Sequence, residues 1–266
     1  MNIQGMTVSE IRLLLEHNSL GAELAAGLQN DQRQSVQKLF DVWKRRQQHE
    51  QMDRERVARL YQYEREITTR GCRRIAGVDE AGRGPLAGPV QVAAVILPGE
   101  CYIPELNDSK KMTETQRERA YEVIRKQALA IASVAVPVER IDEINIYQAT
   151  LQGMYQALQE LNDGFEAVLV DAMPLPELTV PWHALIGGDR LSASIAAASV
   201  IAKVERDRLM AQYDRQYPGY GFGRHKGYGT SEHLMAIQDQ GPCPIHRRSF
   251  APVKEYLDLQ YKGVEE

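Results

Sequence analysis

The 266 residues carry 32 Lys and Arg against 36 Asp and Glu, for a formal net charge of −4, with 43% hydrophobic and 26% charged residues. That composition is ordinary for a globular chain and excludes general disorder. It also excludes a uniformly basic surface, so any contact with phosphates must come from local clusters. Cys72, Cys101 and Cys243 are odd in number and form no CxxC pair. They are expected to be reduced structural thiols rather than a disulfide framework or a zinc site. The N-terminus lacks the basic-then-apolar layout of a signal peptide and no apolar run approaches a membrane span, so a cytoplasmic protein without a membrane partner is expected.

In chain order, Thr7-Val8-Ser9-Glu10 has the pattern of a helix capping box, followed by Ile11, Leu14 and Leu15 at helical spacing. A short apolar patch spans Leu20 to Leu28. From Asp31 to about Thr68 the pattern predicts one long polar helix with two apolar stripes. The first stripe is Val36, Leu39, Phe40 and Trp43; the second is Val57, Leu60, Tyr61 and Tyr63. Lys44-Arg45-Arg46 forms a basic cluster, with acidic residues interleaved along the helix. Thr68 to Arg73, including Gly71, is the natural boundary, dividing the chain into a helical extension over 1–70 and a main domain over 71–266.

The main domain opens with strands predicted at Ile75 to Val78 and Val90 to Leu97, rich in β-branched residues. Between them lie Asp79 and Glu80, then a turn dense in glycine and proline. A helix from Thr113 to Leu129, a strand from Ile131 to Val138 and a helix from Tyr147 to Leu161 follow. Strands at Ala167 to Val170 and His183 to Ile186 end at Asp171 and at Gly187-Gly188-Asp189. A helix over Ser192 to Tyr213 and shorter ones at Ser231 to Gln238 and Pro252 to Tyr261 complete the chain. Strands alternating with helices after an initial hairpin predict an α/β fold with a mixed sheet flanked by helices.

Acids at the end of a buried strand must be paired, hydrogen-bonded or bound to a cation. Glycines beside them let backbone approach whatever binds there. The string DEAGRGPLAGPV, followed in order by NDSKK, VLVDA, GGD, AASVIAKVERD, HKGYGT and IHRRSFAPV, closely resembles bacterial ribonuclease HII from about Arg74 to Val253. The resemblance implies the ribonuclease H-like fold, with the helical extension outside it. It also implies an endonuclease that cuts the RNA strand of RNA–DNA hybrids and nicks DNA duplexes on the 5′ side of an embedded ribonucleotide, leaving 3′-hydroxyl and 5′-phosphate ends.

By motif position the family's four active-site acids map onto Asp79, Glu80, Asp171 and Asp189. Oxygen ligands without a nearby His or Cys pattern suit a hard ion, so two Mg2+ or Mn2+ ions are the expected cofactors. In a regular strand Asp79 and Glu80 face opposite sides, so the strand is expected to bend or end there. The resemblance also makes Gly82-Arg83-Gly84 the reader of the ribose 2′-hydroxyl and Tyr228 the residue stacking on the next deoxyribose. Asn107, Ser109, Lys110, Lys111, Arg224, Lys226 and one of Arg247 and Arg248 are candidate phosphate contacts. Lys203, Arg206 and Asp207, one helical turn apart, read as an internal salt bridge. Pro244 to Pro252 matches the family without a residue-level role. The partner expected is nucleic acid, and the chain is expected to act as a monomer. Two alternatives stand beside this reading: a ribonuclease HIII-like nuclease, whose glycine loop differs, and a silent hybrid-binding protein.

Overall fold

The computed structural model describes residues 5–16, 20–161 and 164–262. The chain divides into two compact units, Met1–Arg56 and Val57–Glu266.

In the first unit, α1 (Val8–Glu16) opens with the predicted capping box. Thr7 N donates to Glu10 Oε2 at 2.7 Å and Glu10 N donates to Thr7 Oγ1 at 3.3 Å. With α2 (Ala22–Gln29) and the first half of α3 (Gln34–Leu60) it closes a small core of Ile11, Leu15, Leu28, Val36 and Phe40. The single long helix predicted to Thr68 is interrupted at Tyr61, after which α4 runs over Gln62–Thr68. Its second apolar stripe serves the other unit, where Val57, Leu60 and Tyr61 are buried in the main core.

The second unit is built on a five-stranded sheet: β1 (Ile75–Ala81), β2 (Val90–Ile96), β3 (Ala130–Val136), β4 (Ala167–Asp171) and β5 (Trp182–Leu185), in the order β3-β2-β1-β4-β5. β1 and β2, and β2 and β3, pair antiparallel, whereas β1, β4 and β5 run parallel. The C-terminal ends of the three parallel strands therefore share one edge of the sheet, where all the acids predicted at strand ends lie. One face is covered by α5 (Glu114–Gln127) and α7 (Ala193–Gln216), packed on Ala93 and Val95. The other is covered by α6 (Val138–Glu160), whose Met154 and Leu158 pack on Val78, Val92 and Ala94. Burying one such aliphatic side chain stabilises the fold by about 1.5–3 kcal/mol.

Two boundaries differ from expectation for local reasons. β1 does not end before the acids: pairing continues through Glu80↔Val92 and Ala81↔Gln91. α6 begins at Val138, directly after Pro137, earlier than predicted. It breaks at Asn145 (φ 68°), whose Oδ1 accepts from Gln148 N at 3.1 Å and caps the second half, the part the periodicity predicts. Three short helices follow α7: α8 (Phe222–His225), α9 (Ser231–Gln240) and α10 (Ala251–Lys262).

Candidate active site

The sheet edge gathers the four carboxylates. Asp79, 4% exposed on β1, accepts from Glu80 N at 2.7 Å and is hydrogen-bonded by Ser199 of α7. Asp171, at the end of β4, accepts from Gly188 N at 2.7 Å, which ties that strand to the turn carrying Asp189. Ser192 Oγ, rather than Asp189, caps α7 by accepting from Ile195 N at 3.2 Å, so the Asp189 carboxyl is not used as a helix cap.

Burial, then the neighbouring charges of Glu80 and Asp171, hold the Asp79 carboxyl well above the usual carboxylate range. Burial likewise raises Glu80, partly offset by the Arg83 guanidinium 3.4 Å from its Oε1. Burial and a carboxyl–carboxylate hydrogen bond with Asp108 push Asp189 up to about 6. Lys110 lies among these acids: burial lowers its pKa, but Asp79, Asp189, Asp108 and Glu80 together outweigh that and raise it.

Whether this set suits a cation turns on its donors. All are carboxylate oxygens, they repel one another, and Glu80 Oε2 is buried without a hydrogen-bond partner. Among the described residues no three His, Cys, Asp or Glu side chains are drawn tightly enough together to close around one ion by themselves. Mg2+ and Mn2+ suit an open set of this kind, because a hard ion takes one or two carboxylates and completes its shell with water or phosphate oxygens. The residues present fit such ions.

Beside the acids is a cleft of about 420 Å3 lined by Glu80, Gly82–Gly84, Ser109, Lys110, Arg117, Lys203 and Tyr228. Gly82 has φ +91° and a Cβ there would lie 1.9 Å from Arg206 Nε, so no other residue fits without moving that arginine. The Tyr228 ring is 44% exposed, and a Cβ at Gly84 would lie 3.8 Å from its Cε1.

The other predicted contacts divide. Ser109 is buried, with its Oγ 2.9 Å from Ser199 Oγ, which links it to Asp79 through α7. Asn107 Oδ1 is turned back to accept from Asp108 N at 2.9 Å. Lys226, half-buried with φ 54°, donates from Nζ to Gly223 O at 2.7 Å and is not among the residues lining the cleft. Arg247 is a correction, being fully buried, while Arg248 and Lys111 are exposed and Arg224 pairs with Glu232. Lys203 pairs with Asp207 at 2.7 Å as expected, but Arg206 does not join them. Its three guanidinium nitrogens donate to Pro89 O, Lys226 O and Ala87 O at 3.0–3.1 Å.

Sequence reasoning missed Asp108, Ser199 and Arg117. Asp108 stands in the NDSKK string, read there for phosphate contacts, and its neighbours hid its link to Asp189. Ser199 and Arg117 sit on helices at positions no local pattern distinguishes.

A family model described as Ribonuclease HII matches residues 76–253, and one described as Ribonuclease HII N-terminal domain matches residues 7–68. The Ribonuclease HII of Geobacillus thermodenitrificans is 52% identical over 233 residues, covering 88% of this chain and 90% of its own. That of Geobacillus sp. strain WCH70 is 45% identical over 260 residues, covering 97% and 94%. The crystal structure of ribonuclease H2 from Pyrococcus horikoshii superposes with a TM-score of 0.62 at 24% identity, covering 71% of this chain and 99% of that one, and shows the shared ribonuclease H-like fold. On sequence over nearly its whole length, the chain belongs to the ribonuclease HII family and is an endoribonuclease, a hydrolase acting on nucleic acid.

Proposed function

We propose that this protein, acting as a monomer, hydrolyses the RNA strand of RNA–DNA hybrids and nicks duplex DNA on the 5′ side of a single embedded ribonucleotide, leaving 3′-hydroxyl and 5′-phosphate ends. Its roles would be ribonucleotide excision and removal of RNA primers. The observation that carries this reading is the juxtaposition at one sheet edge of four carboxylates and the Gly82–Gly84 loop. Asp79, Glu80, Asp171 and Asp189 would hold two divalent ions, Mg2+ or Mn2+. Bound there, such ions supply water activation and stabilisation of the leaving 3′ oxygen. The chain's own part is to orient and to select. Gly82, Arg83 and Gly84 present backbone to the 2′-hydroxyl, the group that distinguishes RNA from DNA. Tyr228 stacks on the following deoxyribose, and Ser109, Lys110 and Asn107 serve the flanking phosphates.

The test is a nicking assay on a DNA duplex carrying one ribonucleotide, with Mg2+, Mn2+ or chelator. Metal-dependent cleavage on the 5′ side is expected. Cleavage of long hybrids alone would favour a ribonuclease HIII-like activity, and tight binding without cleavage a silent hybrid-binding protein.

The helical extension is proposed as an accessory substrate-binding module, on the strength of its exposed Lys44, Arg45 and Arg46. Residues 57–70 are excluded from the deletion that tests it, since Val57, Leu60, Tyr61 and Ile67 are core residues of the second unit. Removing residues 1–56 should raise KM several-fold at moderate salt and flatten its salt dependence without abolishing turnover; an unchanged KM and salt slope would discard the module.

A further inference from the structure

Three segments meet beneath the residues assigned to ribonucleotide reading: 82–88, 225–228 and 243–247. Leu86 N donates to Gly227 O, Gly88 N to Ile245 O and Arg247 N to Leu86 O, each at 2.8 Å, and Ala87 bridges His246. The first two segments carry the glycine loop and Tyr228. The third does not itself line the cleft, and the sequence suggests nothing for it beyond a phosphate contact that the burial of Arg247 excludes.

Two consecutive residues of that third segment, His246 and Arg247, are 1% and 0% exposed, and each reaches one of the reading loops. Arg247 donates through Nε to Gly88 O at 2.9 Å and through its two terminal nitrogens to Arg83 O at 2.7 Å and Gly82 O at 2.5 Å. Among the described residues no carboxylate forms an ion pair with it, and each of its three nitrogens donates to a carbonyl of the loop. Drawing the carbonyls of Gly82 and Arg83 onto a fixed fork fixes the peptide planes on either side of Arg83.

His246 acts through a second imidazole. His246 Nε2 lies 2.9 Å from His233 Nε2, and His233 Nδ1 lies 2.9 Å from Tyr228 O. A carbonyl can only accept, so His233 carries its proton on Nδ1 and its Nε2 is an acceptor. His246 must then donate from Nε2, which leaves its Nδ1 to accept from Cys243 N, 2.9 Å away, while Cys243 O, 3.2 Å from the same nitrogen, accepts from His246 N at 3.0 Å instead. One consistent set of tautomers thus runs from Cys243 N–H to the Tyr228 carbonyl. Both rings are neutral: burial holds each at about 4. His225 stacks on His233 with centroids 4.6 Å apart and accepts from Gly227 N, so the same cluster also holds the residue before Tyr228. Tyr228 N also donates to His225 O at 3.0 Å and its O accepts from Thr230 N at 2.8 Å, so the half-exposed ring is carried on a backbone that this cluster anchors together with those bonds.

Resting on the function proposed above, we infer that segment 243–247 is the positioning element of the ribonucleotide reader: Arg247 sets the Gly82–Gly84 backbone and His246, through His233, sets Tyr228. Neither residue touches substrate. Recognition of the ribonucleotide depends on Arg247, and the preference for a deoxyribonucleotide after it depends on His246.

The test compares kcat/KM on a single-ribonucleotide duplex with that on a continuous hybrid, for the wild type and for folded His246→Phe, His246→Gln and Arg247→Lys proteins. His246→Phe keeps the ring but cuts the chain, and should lower the ratio of junction nicking to hybrid cleavage about tenfold. His246→Gln, which keeps a donor toward His233, should recover much of that ratio. Arg247→Lys, with one ammonium for three carbonyls, should lower kcat/KM on both substrates about tenfold. A purely structural role would move the melting temperature while leaving the His246→Phe ratio, or the Arg247→Lys kcat/KM on both substrates, at its wild-type value, and either result overturns the inference. Should His246→Phe not fold, imidazole 15N NMR of the wild type still decides: His246 protonated on Nε2 and His233 on Nδ1 supports the chain, and any other pair of tautomers overturns it. A wild type that nicks no single ribonucleotide overturns instead the functional reading beneath it.

Discussion

At the sheet edge, Asp79, Glu80 and Asp189 all hold their protons more tightly than free carboxyls do, and Glu80 Oε2 has no partner. In the reading loops, Arg206 and Arg247 are buried just as deeply, yet each of their guanidinium nitrogens has a backbone carbonyl. Burial disfavours the charged form in both regions, lowering Arg206 and Arg247 as it raises the acids, but the two regions differ in how their polar atoms are hydrogen-bonded. Charge left under-compensated is a cost the fold carries for something that binds later. A buried guanidinium hydrogen-bonded to backbone at every nitrogen holds that backbone in place. A substitution in the first region should therefore cost activity and little stability, whereas one in the second should cost stability.

The largest effect expected is from Asp79→Asn. Removing a buried charge that its neighbours repel should leave the metal-free melting temperature equal to or above that of the wild type. Activity should fall at least about a thousandfold, on the scale of losing a group whose electrostatics are organised for the reaction. A variant that both unfolds and loses activity would put Asp79 on the structural side of the comparison. Arg206→Met is the counterpart. It leaves the carbonyls of Pro89, Lys226 and Ala87 without their buried donor, and should destabilise by about 3 kcal/mol. Denaturant unfolding measures this, and a loss under about 1 kcal/mol would mean that the loops supply other donors.

How much of this was legible in the sequence follows the same division. The strands around Val78, Val92 and Val168, the capping box at Thr7 and Asp171 at the end of β4 are written in local patterns, and they stand where those patterns put them. The reach of β1 through Asp79 and Glu80 was not legible, because pairing with Val92 and Gln91 outweighs the breaking tendency of the glycines that follow. Nor were the buried arginines. Arg206 in VERD has Asp207 beside it and Lys203 a turn away, and local spacing suggests an ion pair. Its true partners, Ala87 and Pro89, lie 117 or more residues back along the chain. His233 and His246 are 13 residues apart, on α9 and on a loop, with no spacing that marks a pair. Long-range satisfaction of buried polar groups is set by tertiary structure and leaves no periodic trace.

Protons sharpen the comparison further, because the two regions respond to them with opposite sign. The acids have folded pKa values raised above the usual 3.8 to 4.5, with Asp189 at about 6. The folded state then binds more protons than the unfolded one in that window, so this contribution to stability is full below about pH 4 and is lost as pH rises through 6. The two histidines have folded values lowered from 6.5 to about 4. There the unfolded state binds more protons, so stability is full above pH 6.5 and is lost as pH falls toward 4. In the metal-free wild type the two slopes oppose each other between pH 4 and 6. His246→Phe removes one histidine, so its melting temperature, relative to wild type, should rise as pH falls through that window. Saturating Mg2+ should act on the other side: ions must displace the protons held by the acids, so the stabilisation they give should shrink below pH 6, approaching tenfold in apparent affinity per pH unit for each proton displaced. Melting curves at pH 4.5, 5.5 and 6.5, with and without Mg2+, for both proteins would resolve the two slopes. A Mg2+ effect independent of pH would mean that the ions are not bound by the carboxylates at this edge of the sheet.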